Sequence, residues 1–217
     1  MEQLVLHFLN GNHFWLSTDR CIYWQEQNIL IVSDLHFGKT GHFRKNGIGV
    51  PPNIFKEDLQ RLIGCIAHFK PQQVIAVGDL FHSRANKEME LFSKWRKDFS
   101  QLTFNLVKGN HDILKDDWYA DNNITVHQEE MMVDGFSFIH DPTIDQQQTS
   151  NYIFSGHLHP GVMLKIGSKQ KLGFPCFHFG EKIAVLPAFS RFTGTVSMKV
   201  ASTDHAYAIV NKSIFKV

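Results

Sequence analysis

The chain has 217 residues, 43% of them hydrophobic, which is enough apolar material for a folded domain and excludes an intrinsically disordered chain. The formal charge is only +1, so any nucleic acid would have to be held by a local basic patch rather than by the field of a polycation. No apolar run approaches the ~18 residues of a membrane span, and three cysteines without a CxxC pair indicate buried thiols of a cytoplasmic protein.

The first half of the chain alternates short apolar strands with helices. Strands are predicted at 29–32, 74–77 and 102–107, each a short apolar run that ends at polar or glycine residues. Apolar residues recur at helical spacing in two segments between them. These segments predict one helix from Pro51-Pro52-Asn53 to Pro71 and a second over 87–99.

The second half is richer in strands. Asp134-Gly135 between the apolar runs 131–133 and 136–139 is a strong signal for a two-residue hairpin. A strand at 152–154 and a hairpin of 176–179 with 183–186 follow. A βαβαβ unit followed by a β-rich half favours mixed sheets flanked by helices, in a single domain over residues 1–217.

Five polar clusters stand at the carboxyl ends of predicted strands, in a chain with 13 histidines. They are Asp34 with His36, Asp79, Asn110 with His111, His140, and His157 with His159. Because this edge of an open α/β sheet is where ligands bind, the clusters can converge in space. Carboxylate, imidazole and amide ligands without thiolates suit Mn, Fe or Zn in an open catalytic site. One such cluster alone is more often a polar loop, but five in order are improbable as coincidence.

These motifs resemble the complete signature of the calcineurin-like metallophosphoesterases, over about residues 31–160. The motifs are Asp34-Leu35-His36, Gly78-Asp79, Gly109-Asn110-His111-Asp112, His140 and Gly156-His157-Leu158-His159. A narrower resemblance, to the bacterial ligase-associated DNA-damage-response endonucleases, covers nearly the whole chain. It is carried by 34–39, Phe43-Arg44, Pro51, Phe81-His82-Ser83, Pro175-Cys176-Phe177, Leu186-Pro187-Ala188-Phe189 and Phe192-Thr193-Gly194.

The resemblance implies an α/β fold, a four-layer αββα sandwich with mixed sheets, and two divalent metal ions at one sheet edge. The ions would be Mn, with Fe or Zn as alternatives. The implied ligands are Asp34, His36 and His159 for the first ion, Asn110, His140 and His157 for the second, and Asp79 as the bridge. His111 is implied to protonate the leaving oxygen as general acid. Asp112 would orient that imidazole or would equally be a turn residue or a helix cap.

The leading interpretation is a metal-dependent phosphodiesterase that acts on nucleic acid, as a DNA nuclease in DNA repair. The narrower resemblance also implies a functional link to an ATP-dependent DNA ligase. The same ligands would serve a phosphodiesterase or phosphatase on small esters such as cyclic nucleotides, so the substrate depends on the cleft walls. A non-catalytic scaffold is disfavoured because no ligand position is substituted.

Four residues are candidates for substrate binding: Lys39, Arg44, Lys45 and His82. The three cations belong to a basic loop that leaves directly from the Asp34 motif. That loop is either a phosphate clamp or a solvated face, and its starting point favours the clamp. His82 follows Asp79 by three residues and can reach the substrate.

Overall fold

The computed structural model describes residues 3–39, 54–82, 87–143, 150–166 and 170–217. Within these ranges a first sheet has seven strands in the spatial order β1 to β7. The strands are β1 (Leu4–Leu9), β2 (Asn12–Ser17), β3 (Ile22–Trp24), β4 (Ile29–Ser33), β5 (Gln73–Val77), β6 (Thr103–Val107) and β7 (Ile124–His127). The described helices are α1 (Ile54–Phe69), α2 (Lys87–Asp98) and α3 (Asp116–Asp121). Strands β1 to β4 pair antiparallel, whereas β4 to β7 are parallel, with one of these helices in each connection.

A second sheet is built from the chain after β7. Its strands are β8 (Glu130–Val133), β9 (Phe136–Ile139), β10 (Tyr152–Ser155), β11 (Pro160–Ile166), β12 (Gln170–Phe179), β13 (Ile183–Val185), β14 (Val196–Ser197), β15 (His205–Val210) and β16 (Ser213–Lys216). The described strands run in the order β14-β11-β12-β13-β10-β9-β8, with β15 and β16 attached at β12. The sheet is mixed, because β10 is parallel to β9 and β13 while β8 and β12 pair antiparallel with their hairpin partners.

The two predicted hairpins are confirmed. Strands β8 and β9 pair antiparallel around Asp134 and Gly135, whose φ angles of 44° and 78° are those that a type I′ turn requires. Strand β12 pairs antiparallel with β13, with Phe179 opposite Ala184. The two predicted helices correspond to α1 and α2; the proposed helix start at Pro51-Pro52-Asn53 lies outside the described residues.

Alternation along the strands of the first sheet divides its side chains between two cores. In β4, Ile29 and Ile31 pack with the second sheet, while Leu30 and Val32 pack under the helices. Phe154 in β10 belongs to the same inter-sheet core and is fully buried. The inter-sheet core therefore fixes one sheet against the other, which matters because the polar clusters come from both.

The predicted α/β class with two mixed sheets is confirmed, but helices cover only one outer face in the described part of the chain. The buried hydrophobic residues of α1, α2 and α3 all belong to the core on the first sheet. On the outer face of the second sheet, Cys176 and Ala208 lie in a small cluster of strand residues instead. The described residues after β7 form strands and the turns between them. No helix in these ranges is long and apolar enough to cross a membrane.

Candidate metal centre

The polar clusters follow the carboxyl ends of five strands, as the sequence predicts. Asp34 and His36 follow β4, Asp79 follows β5, Asn110 and His111 follow β6, His140 follows β9, and His157 and His159 follow β10. Strands β4 to β6 are parallel to one another, and so are β9 and β10, so each set of ends meets at one edge. The inter-sheet core brings the two edges together.

One group joins residues of both sheets in a geometry that suits a metal ion. Asp34 Oδ1 lies 3.1 Å from His159 Nε2 and 3.9 Å from His36 Nε2, and the two imidazole nitrogens are 3.4 Å apart. Ligands at ~2.1 Å from a tetrahedral ion stand about 3.4 Å from one another, so the triangle has the right size. Apart from the neighbouring His159 nitrogen of the same triangle, no polar group among the described residues satisfies the buried Asp34 Oδ1, as expected of an atom that faces a cation.

A second group lies beside the first. His140 Nε2 is 3.2 Å from Asn110 Oδ1, 3.2 Å from His157 Nδ1 and 3.5 Å from Asp79 Oδ1. Ligand atoms of Asp34, Asp79 and His140 also lie within 4.8 Å of one another. The donors are oxygen and imidazole nitrogen, as in open sites for Mn, Fe or Zn.

Asp79 stands between the two groups. Its Oδ1 faces His140, whereas its Oδ2 lies 3.9 Å from His36 Nδ1. The His111 backbone N–H donates to Oδ1 at 2.9 Å and fixes the carboxylate. Burial raises the pKa of Asp79, and the Asp34 carboxylate raises it further. Two buried carboxylates this close need positive charge between them, and divalent cations would supply it.

The protonation of the other side chains suits ligands. Burial lowers the pKa of His36 to about 2, although the Asp34 carboxylate raises it, so the imidazole is neutral and its lone pair is available. Burial alone would raise the pKa of Asp34, but contact with His159, the charge of His140 and the Ser33 hydroxyl lower it overall. Asp34 is therefore an ionised carboxylate.

The backbone at this edge is in an unusual conformation. Five of the candidate ligands have positive φ: Asp34 (52°), His36 (49°), Asp79 (50°), His157 (67°) and His159 (47°). Residues other than glycine, asparagine and aspartate rarely adopt this region, and they persist there only when the surrounding structure holds them. Such strain is typical of functional sites.

Three glycines let the backbone pass close to the candidate ligands. A Cβ at Gly78 would overlap the His140 ring, and one at Gly109 would overlap the Asp79 carboxylate. A Cβ at Gly156 would overlap the Ser33 hydroxyl and approach Asp34 Oδ2 to 2.7 Å. The glycines of the motifs are therefore needed for space beside the ligands.

His111 is placed at the mouth of the centre. Its side chain is 42% exposed, and its Nε2 lies 3.9 Å from Asp79 Oδ2. The His82 ring packs against it with centroids 4.1 Å apart, and His36 is 5.7 Å away on the inner side. An imidazole in this position can reach a substrate while remaining close to the candidate ligands.

Of the two roles predicted for Asp112, the geometry favours the turn residue. Its carboxylate accepts hydrogen bonds from the backbone N–H groups of Gly109 (2.9 Å) and Phe81 (3.1 Å). These bonds tie the loop after β6 to the loop after β5. Burial raises the pKa of Asp112 to about 7 in spite of them. Orientation of the His111 imidazole by Asp112 stays a prediction.

The basic loop is only partly described. Lys39 is half-buried, and burial lowers its pKa overall, although the charges of the Asp79 and Asp34 carboxylates raise it in part. Arg44 and Lys45 lie outside the described residues. Lys39 and His82 are thus the substrate-binding candidates that the structure brings to the centre.

Sequence reasoning missed Ser33. Its hydroxyl lies 2.5 Å from Asp34 Oδ2 and 2.9 Å from the Val77 carbonyl oxygen. The His157 backbone N–H donates to the same Oδ2 at 3.1 Å. These contacts hold Oδ2 and leave Oδ1 for a cation. A hydroxyl residue at the end of the buried strand, directly before Asp34, was the available signal.

Two mixed sheets that carry carboxylates and imidazoles along a shared edge define the metallo-dependent phosphoesterase fold. The family model of the calcineurin-like phosphoesterases matches residues 27–157, more than half of the chain. The protein belongs to the calcineurin-like phosphoesterase family and is a metal-dependent phosphoester hydrolase.

Solved structures extend the comparison. The crystal structure of Pseudomonas putida nuclease MPE is similar over 99% of this chain and 100% of that one, with a TM-score of 0.84 and 28% sequence identity. A protein of unknown function from Aquifex aeolicus is 17% identical over 60% of this chain and 78% of its own, with a TM-score of 0.40. A search of curated protein sequences gave no significant match.

Proposed function

We propose that the protein is a nuclease that hydrolyses phosphodiester bonds in DNA with two divalent metal ions. The observation that carries the proposal is the triangle of Asp34 Oδ1, His36 Nε2 and His159 Nε2 beside the group around His140. The end-to-end similarity to Pseudomonas putida nuclease MPE supports nucleic acid as the substrate class.

The two groups would each hold one ion. Asp34, His36 and His159 would hold the first, Asn110, His140 and His157 the second, and Asp79, with one oxygen towards each group, would bridge them. Divalent ions at these positions would stabilise charge on the phosphoryl group and acidify a water molecule for attack on phosphorus.

The donor set leaves the centre positive. Asp34 and Asp79 are its two carboxylates, while Asn110 contributes a neutral amide oxygen. With two divalent ions the balance is roughly two positive charges, which favours a phosphodiester and its more negative transition state. A third carboxylate at the Asn110 position would reduce that excess.

Side chains at the mouth would handle the substrate. His111, half-exposed and outside both groups, would donate a proton to the leaving oxygen. Lys39 would contact the phosphate from the side of the Asp34 loop, and His82 would support the His111 ring. Arg44 and Lys45 would extend the phosphate contacts along the DNA.

The finer assignments belong to the same proposal. We infer Mn as the native metal because oxygen and imidazole donors without thiolates suit it, with Fe or Zn as alternatives. Three free buried cysteines fit the reducing cytoplasm. A role in DNA repair beside an ATP-dependent DNA ligase follows from the narrower sequence resemblance.

A hydrolysis panel tests the proposal. Mn-loaded protein is incubated with single-stranded DNA, duplex DNA, RNA, cyclic nucleotides and phosphomonoesters, with Asp79→Asn purified in parallel to exclude a contaminating nuclease. We expect the wild-type protein to cleave DNA. We expect no cleavage by Asp79→Asn, and none by the wild-type protein in the presence of a chelator. Hydrolysis of cyclic nucleotides or monoesters without DNA cleavage would overturn the proposed substrate class. If the protein hydrolyses none of these substrates, the proposed activity is wrong.

A further inference from the structure

Residues 186–190, which we call the strap, cross from the second sheet to the first beside the metal centre. The Leu186 N–H donates to the Ser155 carbonyl in β10 at 2.8 Å. The Phe189 N–H then donates to the Ser33 carbonyl at 2.7 Å, and the Ser190 N–H donates to the Asp34 carbonyl at 3.2 Å. The strap thereby ties the strand that precedes His157 and His159 to the backbone of Asp34.

Two arginines hold the strap from outside. Arg20 Nη1 donates to the carbonyls of Ala188 (3.2 Å) and Ser190 (2.9 Å). Arg61 Nη2 donates to the carbonyl between them, that of Phe189, at 2.5 Å. The Arg61 guanidinium also lies 4.1 Å from the centroid of the fully buried Phe189 ring. Three consecutive carbonyls of the strap are thus bound by one side chain from the turn between β2 and β3 and one from α1.

The arrangement is electrostatically unfavourable, because it brings the positive charges of Arg20 and Arg61 close together in a largely buried place. Burial lowers the pKa of both Arg20 and Arg61, and each is lowered further by a neighbouring arginine. Asp58 compensates only in part, through an ion pair of 2.7 Å with Arg61. Buried cations brought together in this way are a poor means of stabilising a fold, because desolvation offsets much of the gain.

We propose that Arg20 and Arg61 are positioning residues for the metal centre. Through the strap they set the distance between Asp34, which the first sheet contributes, and His159, which the second contributes. That pair is 3.1 Å apart and forms one side of the ligand triangle. The proposal rests on the proposed function, because it assumes that this triangle binds a divalent ion.

The key variant is Arg20→Gln, which keeps a polar side chain but loses the bidentate contact with the strap. A second variant, Asp58→Asn with Arg61→Gln, removes the Arg61 contact together with its ion pair; Asp58 itself also hydrogen-bonds the Ser190 side chain and the Arg191 backbone N–H, so this variant weakens the strap from both partners. The matched control is Arg96→Gln. Arg96 is 1% exposed and donates to four backbone carbonyls, but these lie at the opposite edge, before β6 and β7.

Each metal-free protein is titrated with Mn²⁺ by calorimetry and unfolded in denaturant. Arg20→Gln and the double variant should bind Mn²⁺ about 10- to 100-fold more weakly, the usual effect of losing a contact that orients a ligand. Turnover should recover as Mn²⁺ is raised. Arg96→Gln should unfold more easily yet keep the wild-type Mn²⁺ affinity.

Wild-type affinity in a folded Arg20→Gln or double variant would overturn the proposal. An equal loss of affinity in Arg96→Gln would overturn it as well, because the effect would then reflect general destabilisation. A wild-type protein that binds no Mn²⁺ would refute the proposed function itself, so the two failures are distinguishable.

Discussion

Replacing Gly156 with alanine should damage the metal centre although it adds a single methyl group. The new Cβ would overlap the Ser33 hydroxyl and lie 2.7 Å from Asp34 Oδ2 and 2.8 Å from the Val77 carbonyl oxygen. The carbonyl is fixed in β5, and Oδ2 is held by hydrogen bonds from Ser33 and from the His157 backbone. The clash can therefore be relieved only by moving a candidate ligand or the loop that carries two others.

The expected magnitude follows from these contacts. Inserting a methyl group into a packed site costs about 1–3 kcal/mol. A domain of this size loses about 2–4 °C of melting temperature for each kcal/mol, so the melting temperature should fall by about 2–12 °C. Hydrolysis should fall further, by about 10²-fold, because a catalytic group displaced by ~1 Å has that effect.

The assay combines thermal unfolding of the metal-free protein, Mn²⁺ titration and hydrolysis of a p-nitrophenyl phosphodiester. Gly64→Ala is the control, since Gly64 is an exposed residue of α1 with nothing within 4 Å of an added Cβ. It should stabilise the protein by about 0.4–1 kcal/mol and leave Mn²⁺ affinity unchanged. If Gly156→Ala keeps the wild-type melting temperature and Mn²⁺ affinity, the steric argument is wrong.

Asp79→Asn should disturb both metal sites and lower hydrolysis by several orders of magnitude; metal analysis with two ions bound and near-normal turnover would contradict the bridging role. His111→Gln should keep the metal content but cost about 10²–10⁴-fold on substrates with poor leaving groups, and much less with p-nitrophenolate. Equal losses on both kinds of substrate would argue against proton donation. Arg44→Ala should weaken DNA binding and make the slope of log affinity against log salt shallower by about 0.7–0.9, while hydrolysis of a small diester at saturation changes little. An unchanged slope would mean that the loop is a solvated face.

The edge that carries the candidate ligands could be predicted because its signals are local. The strands that become β4, β5 and β6 are apolar runs that stop at Asp34, at Gly78-Asp79 and at Gly109-Asn110. Parallel pairing with helical crossovers then brings their ends to one edge without any knowledge of distant contacts. The Asp134-Gly135 turn is local in the same sense, since the dipeptide itself favours positive φ.

Contacts between distant segments could not be predicted. Arg20 and Ser190 are 170 positions apart, and nothing around Arg20 indicates a partner in the strap. The left-handed backbone conformation of His36 could not be predicted from the sequence either, because histidine has no local preference for φ near 49°. Asp112 has a sequence context that fits either of two roles, and only the amides of Gly109 and Phe81 distinguish them.

Strain at the ligand edge has to be maintained by groups that are not ligands. A residue in a sparsely populated backbone region costs of order 1–3 kcal/mol and stays there only if its surroundings leave no alternative. For Asp34 the surroundings are two backbone contacts, with Gly78 of the β5 loop on one side and Ser190 of the strap on the other. A carboxylate fixed in this way before metal binds loses less conformational freedom when it does, so part of the metal affinity resides in the backbone contacts. The strap and its two arginines belong to the metal centre in this energetic sense, although none of their side chains is a candidate ligand.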